Sequence, residues 1–256
     1  MIVCKGKAEL DKMREANLIV AQVLDYLGSL IQPGITTSEL DAVAEDMILK
    51  AGAKPAFKGY RGYPATVCAS VNDRIVHGIP NDDPLKQGDI VGVDVGVCYR
   101  GFFGDSAWSF SVGAISKELG SLLDVTRESL YKGIEKVVVG NRISDISHSI
   151  QQHVENHGFT VVREFVGHGI GKALHEEPQV PNFGQPGRGP KLQAGMVLAI
   201  EPMVNSKGPG VKVLADRWTA VTADGGYSAH FEHSVAVTED GPWILSLANG
   251  NQRGRG

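Results

Sequence analysis

Four acidic residues stand in two pairs along this chain of 256 residues, and their surroundings suit metal chemistry. Asp94 lies in a strand-like run, Ile90-Val91-Gly92-Val93-Asp94-Val95. Asp105 follows a turn around Tyr99-Arg100 and precedes Ser106-Ala107-Trp108. A hairpin centred between residues 99 and 100 sets the two carboxylates directly opposite, about 4.5–5.5 Å apart at Cβ. Unpaired acids that close repel each other, and one is driven to hold a proton. A dication relieves the repulsion, and two dications roughly 3.5–4 Å apart can share bridging carboxylates. Glu201, in Ile200-Glu201-Pro202, and Glu232, before His233-Ser234-Val235, make the matching pair. His168 adds an imidazole, and one nitrogen with several oxygens suits manganese, iron, cobalt or zinc. Taken singly, each acid reads as a surface or ion-paired residue, and His233 as a structural histidine. The pairing is what points to a metal centre.

The elements that must position these acids are duplicated. Leu10, Met13, Val20, Leu24, Leu27 and Ile31 recur at helical spacing, as do Leu119, Leu122, Leu130, Ile134 and Val137. Each helix leads through a glycine turn to a second amphipathic helix. One carries Leu40, Val43, Met47 and Ile48 behind a Thr36–Glu39 capping box, the other Ile146, Ile150 and Val154. Gly34 and Gly140, Ser38 and Ser144, and Gly52 and Gly158 share one offset. Leu85, Gly88, Ile90, Val93 and Asp94 then match Leu192, Gly195, Val197, Ile200 and Glu201, one residue further on. His-Gly-Ile also occurs in each half, at His77 and His168. The pattern predicts one α+β catalytic domain over 1–256, with pseudo-symmetric halves at about 5–113 and 114–245 facing a central cleft. The polar, Gly-rich tail 249–256 is expected to fray.

Composition excludes other classes. Hydrophobic residues at 42% and charged residues at 21% are ordinary, and a net charge of −4 gives no drive toward DNA or a membrane surface. No apolar run nears the roughly 18 residues of a bilayer span. Met1 to Leu10 lacks the apolar segment of a secretory signal. Cys4, Cys68 and Cys98 are odd in number and scattered, which predicts free thiols and a cytoplasmic location. Gly167 to Lys172 lacks phosphate-loop spacing, no G-x-S-x-G occurs, and His175-Glu176-Glu177 is not H-E-x-x-H.

Three stretches carry a family resemblance: Val67-Cys68-Ala69-Ser70-Val71-Asn72 through His77-Gly78-Ile79-Pro80; Gly167-His168-Gly169-Ile170-Gly171 through His175-Glu176-Glu177-Pro178; and Ile200-Glu201-Pro202. They resemble type I methionine aminopeptidases, and the likeness runs over about residues 5–245. It implies the pita-bread fold, two pseudo-twofold-related halves with a curved antiparallel sheet covered by helices. It also implies that Asp94, Asp105, His168, Glu201 and Glu232 hold two divalent metal ions, with Asp105 and Glu232 bridging. His77 and His175 would contact the scissile amide, and a monovalent cation would sit near Asn72 and Ser228. The methionine pocket would be walled by Tyr60, Tyr63, Cys68 and Trp218, with Phe57 and Leu174 at positions that vary. Leu174 stands where many relatives have phenylalanine, and Phe57 where several have cysteine.

The implied reaction is hydrolysis of the peptide bond after the N-terminal methionine of nascent polypeptides, favouring a small second residue. Glu201 would relay the nucleophile's proton, and His175 would stabilise the developing oxyanion. With Ile2 in second place, the protein is expected to keep its own Met1. Two alternatives share the fold. Xaa-Pro peptidases use the same acids but carry a large N-terminal domain, whereas catalytic-type sequence starts here almost at Met1. Non-catalytic pita-bread proteins typically lack ligand acids, and none is missing here. The chain is expected to be monomeric, with no DNA or membrane partner. Lys207, Lys212 and Arg217 suggest a transient ribosome contact, against the plainer reading of a solvated surface.

Overall fold

Helix α1 (Lys7–Leu30) buries Leu10, Met13, Val20, Leu24 and Leu27 along one face, and α2 (Thr37–Lys50) buries Leu40, Ala44 and Ile48. The expected capping box closes α2: Thr36 Oγ1 accepts from Glu39 N at 3.1 Å, and Glu39 Oε2 accepts from Thr36 N at 2.8 Å. Such a cap contributes about 1 kcal/mol. The strands that follow are β1 (Lys54–Pro55), β2 (Val67–Val71), β3 (Arg74–Val76), β4 (Ile90–Tyr99) and β5 (Phe102–Ser111). The chain then makes another helix pair, α3 (Lys117–Ile134) and α4 (Ile143–Asn156). It continues through β6 (Thr160–Val161), β7 (Gly167–Gly169), β8 (Glu176–Val180), β9 (Val197–Ile200) and β10 (Met203–Asn205). Last come β11 (Val211–Val213), β12 (Ala220–Thr222), β13 (Ser228–His230), β14 (His233–Thr238) and β15 (Gly241–Ile244). This computed structural model describes residues 1–248; the tail expected to fray lies outside the described residues.

Antiparallel sheets form the inner layer. One joins β1, β2 and β5 to β4, and the other runs β15-β14-β9-β7-β8. Two smaller sheets, β13-β10-β6 and β11-β12-β3, connect them. Each helix pair covers its own apolar cluster: α1 and α2 over Val91, Val93 and Val95, and α3 and α4 over Leu198, Ile200 and Val235. The mixed helical and antiparallel architecture is the pita-bread fold. Among the described residues, no helix is long and apolar enough to cross a membrane.

Matching contacts recur where the sequence repeats. Gly34 N donates to Leu85 O at 2.8 Å, and Gly140 N to Leu192 O at 3.0 Å. The paired glycines 34 and 140, 52 and 158, and 88 and 195 all hold left-handed φ angles between 73° and 99°. Only glycine adopts that conformation without steric cost.

The hairpin register differs from the expected one. Tyr99 pairs with Phe102 around Arg100 (φ 49°) and Gly101 (φ 79°), so the turn is centred one residue later than Tyr99-Arg100. Two successive left-handed residues make the two-residue turn that matches strand twist, and glycine in second place favours it. Asp94 therefore faces Ala107 and Asp105 faces Gly96. The acids are diagonal neighbours, and a shift of two keeps both on one face. In the second half the β9–β14 ladder ends at Ile200↔His233, leaving Glu201 and Glu232 opposed just beyond it.

Candidate metal centre and its pocket

Asp105 is placed by close backbone packing. A Cβ on Gly104 would lie 2.8 Å from Asn17 N and 2.9 Å from the Ala16 carbonyl carbon, so glycine alone lets α1 approach β5 this closely. Asn17, fully buried in α1, accepts from Asp105 N at 3.3 Å and donates to Met13 O at 2.9 Å. Three bonds then stitch β5 to the Glu232 segment. Ser106 Oγ donates to Glu232 O at 2.6 Å, Glu232 N to Ala107 O at 2.9 Å, and Ser234 Oγ to Asp105 O at 2.8 Å. Asp105 and Glu232 are thus held against each other across the two halves.

His168 sits between two glycines whose missing side chains admit neighbouring backbone. A Cβ on Gly167 would meet Ala199 O at 2.3 Å, and one on Gly169 would meet Glu177 O at 2.2 Å. His168 Nδ1 lies 2.9 Å from Gly169 O, which can only accept, so the ring proton is on Nδ1. Nε2 then presents a lone pair toward Glu201 Oε1 at 3.7 Å and Asp105 Oδ2 at 3.9 Å. Among the described residues, Asp105, His168 and Glu232 offer donor atoms that all lie within 4.8 Å of one another. Asp94 and Asp105 interact through their carboxyl groups.

The electrostatics describe a site built for positive charge. Loss of hydration drives Asp94 up to about 7 and Glu201 up to about 8. It pushes Asp105 and Glu232 well above the carboxylate range, and the neighbouring acids add to the rise. Burial also brings His168 and His77 down to about 4, so both imidazoles are neutral at pH 7. Asp94 Oδ1, Asp105 Oδ1 and Glu232 Oε1 are buried and find no hydrogen-bond partner among the described residues. A buried, unpartnered carboxylate is costly unless a cation meets it. Donors that share one ion at about 2.0–2.2 Å each stand roughly 3–4 Å apart. The oxygen-rich donor set with one lone-pair imidazole fits divalent metal.

A cavity of about 160 Å³ opens onto these groups. Every sequence-predicted acid and histidine lines it, together with Phe57, Tyr60, Tyr63, Cys68, Leu174 and Trp218. Cys68 pairs with Asp94 across β2 and β4, which puts thiol and carboxyl on one face. Tyr63 packs edge-on against Trp218 at 5.1 Å, and its hydroxyl donates to Val67 O and Gly78 O. His77 holds φ 58°, a strained value for a non-glycine residue, and meets Phe165 and Trp218 edge-on. His175 shares a hydrogen bond with the Tyr60 hydroxyl at 2.9 Å and lies 4.3 Å from His168, ring centre to ring centre. Asn72 and Ser228 meet through backbone, Ser228 N donating to Asn72 O at 2.9 Å. The Asn72 side chain is engaged by Asp89 and Ile90 N. His233 is buried, with Nδ1 at 2.8 Å from Ser246 Oγ and Nε2 at 3.3 Å from the Tyr131 hydroxyl.

Several residues at the site were not singled out in the sequence. Arg61 lines the cavity with φ 50° and lies over the Tyr60 ring. His230 is buried beside Glu201, Nε2 to Oε2 at 3.6 Å. Lys5 reaches Glu176 at 2.7 Å, and Glu176 Oε1 accepts from Lys172 N and Ala173 N, which fixes the loop presenting Leu174 and His175. Ser106 next to Asp105 and Ser234 two residues after Glu232 were the available signal for the interstrand stitching. Nothing local marks Lys5 or His230.

Comparison with known proteins agrees with this geometry. The model of metallopeptidase family M24 matches residues 11–239. A methionine aminopeptidase of Clostridium perfringens is 57% identical over 96% of this chain and 99% of its own length. The crystal structure of methionine aminopeptidase from Thermotoga maritima superposes with TM-score 0.95 at 46% identity, covering 96% of this chain and 99% of that one. A prolidase from Pyrococcus furiosus, at 21% identity and TM-score 0.79, covers 96% of this chain and 66% of its own, and shares the fold alone. The chain belongs to metallopeptidase family M24 and, within it, to the methionine aminopeptidases.

Proposed function

We propose that this chain hydrolyses the peptide bond after an N-terminal methionine, with two divalent ions held by Asp94, Asp105, His168, Glu201 and Glu232. Asp105 and Glu232, joined across the halves by the serine bonds, would hold the ions from both sides of the cleft. One observation carries the reading: buried carboxyl oxygens without partners converge on the floor of an apolar, aromatic and thiol-lined cavity. When bound, the ions supply Lewis acidity and water made acidic enough to attack near neutral pH.

The chain's own residues account for the remaining work. Tyr60, Tyr63, Cys68 and Trp218, with Phe57 and Leu174, hold a thioether side chain, since sulfur packs favourably at ring edges. A substrate's free amino group is drawn to the acidic floor, which restricts cleavage to the first residue. Glu201 accepts the attacking water's proton and passes it to the leaving amine. His175, oriented by Tyr60, donates to the carbonyl oxygen as charge develops there, and His77 faces the amide. A monovalent cation near Asn72 and Ser228 would use backbone carbonyls, because the Asn72 side chain is engaged elsewhere. We assign the physiological substrates as the N-termini of nascent polypeptides, met by a monomer in the cytoplasm. Three free cysteines suit that compartment, and exposed Lys207, Lys212 and Arg217 would touch the ribosome transiently. The test is metal-reconstituted kinetics on Met-Ala and Xaa-Pro peptides, with Asp105→Ala as control. Turnover of Met-Ala alone, lost in the control, is expected. Preference for Xaa-Pro, or turnover by the control, refutes the assignment.

A further inference from the structure

Glu201 lies between two imidazoles that play unlike parts. His168 Nε2 faces Oε1 at 3.7 Å and His230 Nε2 faces Oε2 at 3.6 Å. His168 spends its proton on Gly169 O, so its Nε2 has only a lone pair to offer Glu201. His230 is under no such constraint at Nε2, which is buried and has no hydrogen-bond partner among the described residues. With Glu201 ionised as a metal ligand, a bare Nε2 there would set a second lone pair against its Oε2. A protonated Nε2 has an acceptor in front of it at 3.6 Å, and would make a charge-assisted bond if the two approach in the metal-loaded site.

The backbone around His230 is held as a fixed mount. Ser109 Oγ accepts from His230 N at 3.0 Å and donates to His230 O at 2.8 Å, which pins the residue to β5. On the other side His230 pairs with Met203, two residues beyond Glu201. The histidine therefore lies on a strand paired with the segment that follows Glu201, and it is itself bound to the strand that bears Asp105.

We propose that His230 is a positioning residue: as the neutral Nε2–H tautomer it holds Glu201 Oε2, leaving Oε1 turned toward the space shared with His168 and Asp105. The proposal rests on Glu201 being a metal ligand, and the tests separate the two ideas. Groups that orient a ligand commonly change metal affinity or activity by about 10–100-fold when removed.

Calorimetry with manganese(II) alone should show affinity falling about 10–100-fold in His230→Leu, and recovering to within about threefold of wild type in His230→Gln, whose amide N–H reaches a similar position. Side-chain ¹⁵N spectra of zinc-loaded wild type should place the His230 proton on Nε2. Wild-type affinity in His230→Leu overturns the proposal. So does a Gln variant as weak as Leu, which would make the ring itself a ligand, or a ¹⁵N signature of unprotonated Nε2. If the Leu variant does not fold, the Gln variant and the wild-type spectrum decide. Failure of wild type to bind manganese or zinc at all would instead refute the underlying ligand assignment.

Discussion

Replacing Lys5 with methionine tests how a residue far from the chemistry holds the catalytic loop. Lys5 and Glu176 form an ion pair at 2.7 Å with side chains only 4% and 14% exposed. Breaking a fully buried pair from one side costs about 3–5 kcal/mol. Glu176 keeps two backbone N–H donors and some solvent, so we expect about 2 kcal/mol in Lys5→Met. For a chain of this size that lowers Tm by about 4–8 °C. Adding Glu176→Gln removes the stranded charge and should restore about half of the loss. The pH dependence has a defined sign. Burial alone would raise Glu176, but the Lys5 bond, followed by the Ala173 and Lys172 amides, holds it below its ordinary value of 4.5. The pair's contribution is therefore present above about pH 4.5 and lost as pH falls through the folded value, so wild-type and variant melting curves should converge in acid. Because the same loop presents Leu174 and His175, kcat/KM on a Met-Ala peptide should fall tenfold or more. Melting scans across pH and steady-state kinetics measure both effects. A Tm within 1 °C of wild type, or a double variant no better than Lys5→Met, refutes the reasoning.

The metal-free protein should lose stability as pH rises. Its raised carboxyls, Asp94 at about 7 and Glu201 at about 8, bind protons more tightly folded than unfolded, so stability is greatest below the unfolded values near 4 and falls through pH 7–8. Metal should restore it with release of two or more protons at pH 7, read by calorimetry in buffers of different ionisation heat; a flat profile without proton release contradicts this. His175→Ala should lower kcat by about 10²–10³-fold and change KM much less, and an unchanged kcat removes the oxyanion role. Asn17→Ala strands the Asp105 N–H in the interior and should cost about 1–3 kcal/mol in urea unfolding. A loss below 0.5 kcal/mol would show that Asp105 N is satisfied without it.

Side-chain type and spacing made much of this protein legible before its fold was known. The helix pairs, the capping box at Thr36 and the left-handed glycines follow from local rules: apolar period, hydrogen-bond geometry and the missing Cβ. The four acids and His168 could be listed because few side chains bind a dication, whereas His77 and His175 entered the site only through the family resemblance. Their meeting in one cavity could not, because it depends on β5 and the Glu232 segment lying together, 126 residues apart at Ser106 and Glu232. Register likewise escaped a pattern-based reading. The carboxylates stay on one face whether the turn is centred at 99–100 or one residue on, and only the left-handed pair Arg100-Gly101 separates the two cases. Lys5 and His230 left no trace at all in local sequence. Their surroundings arise from burial and from the carboxyl groups each one faces, Glu176 for Lys5 and Glu201 for His230, and burial is a property of the whole fold.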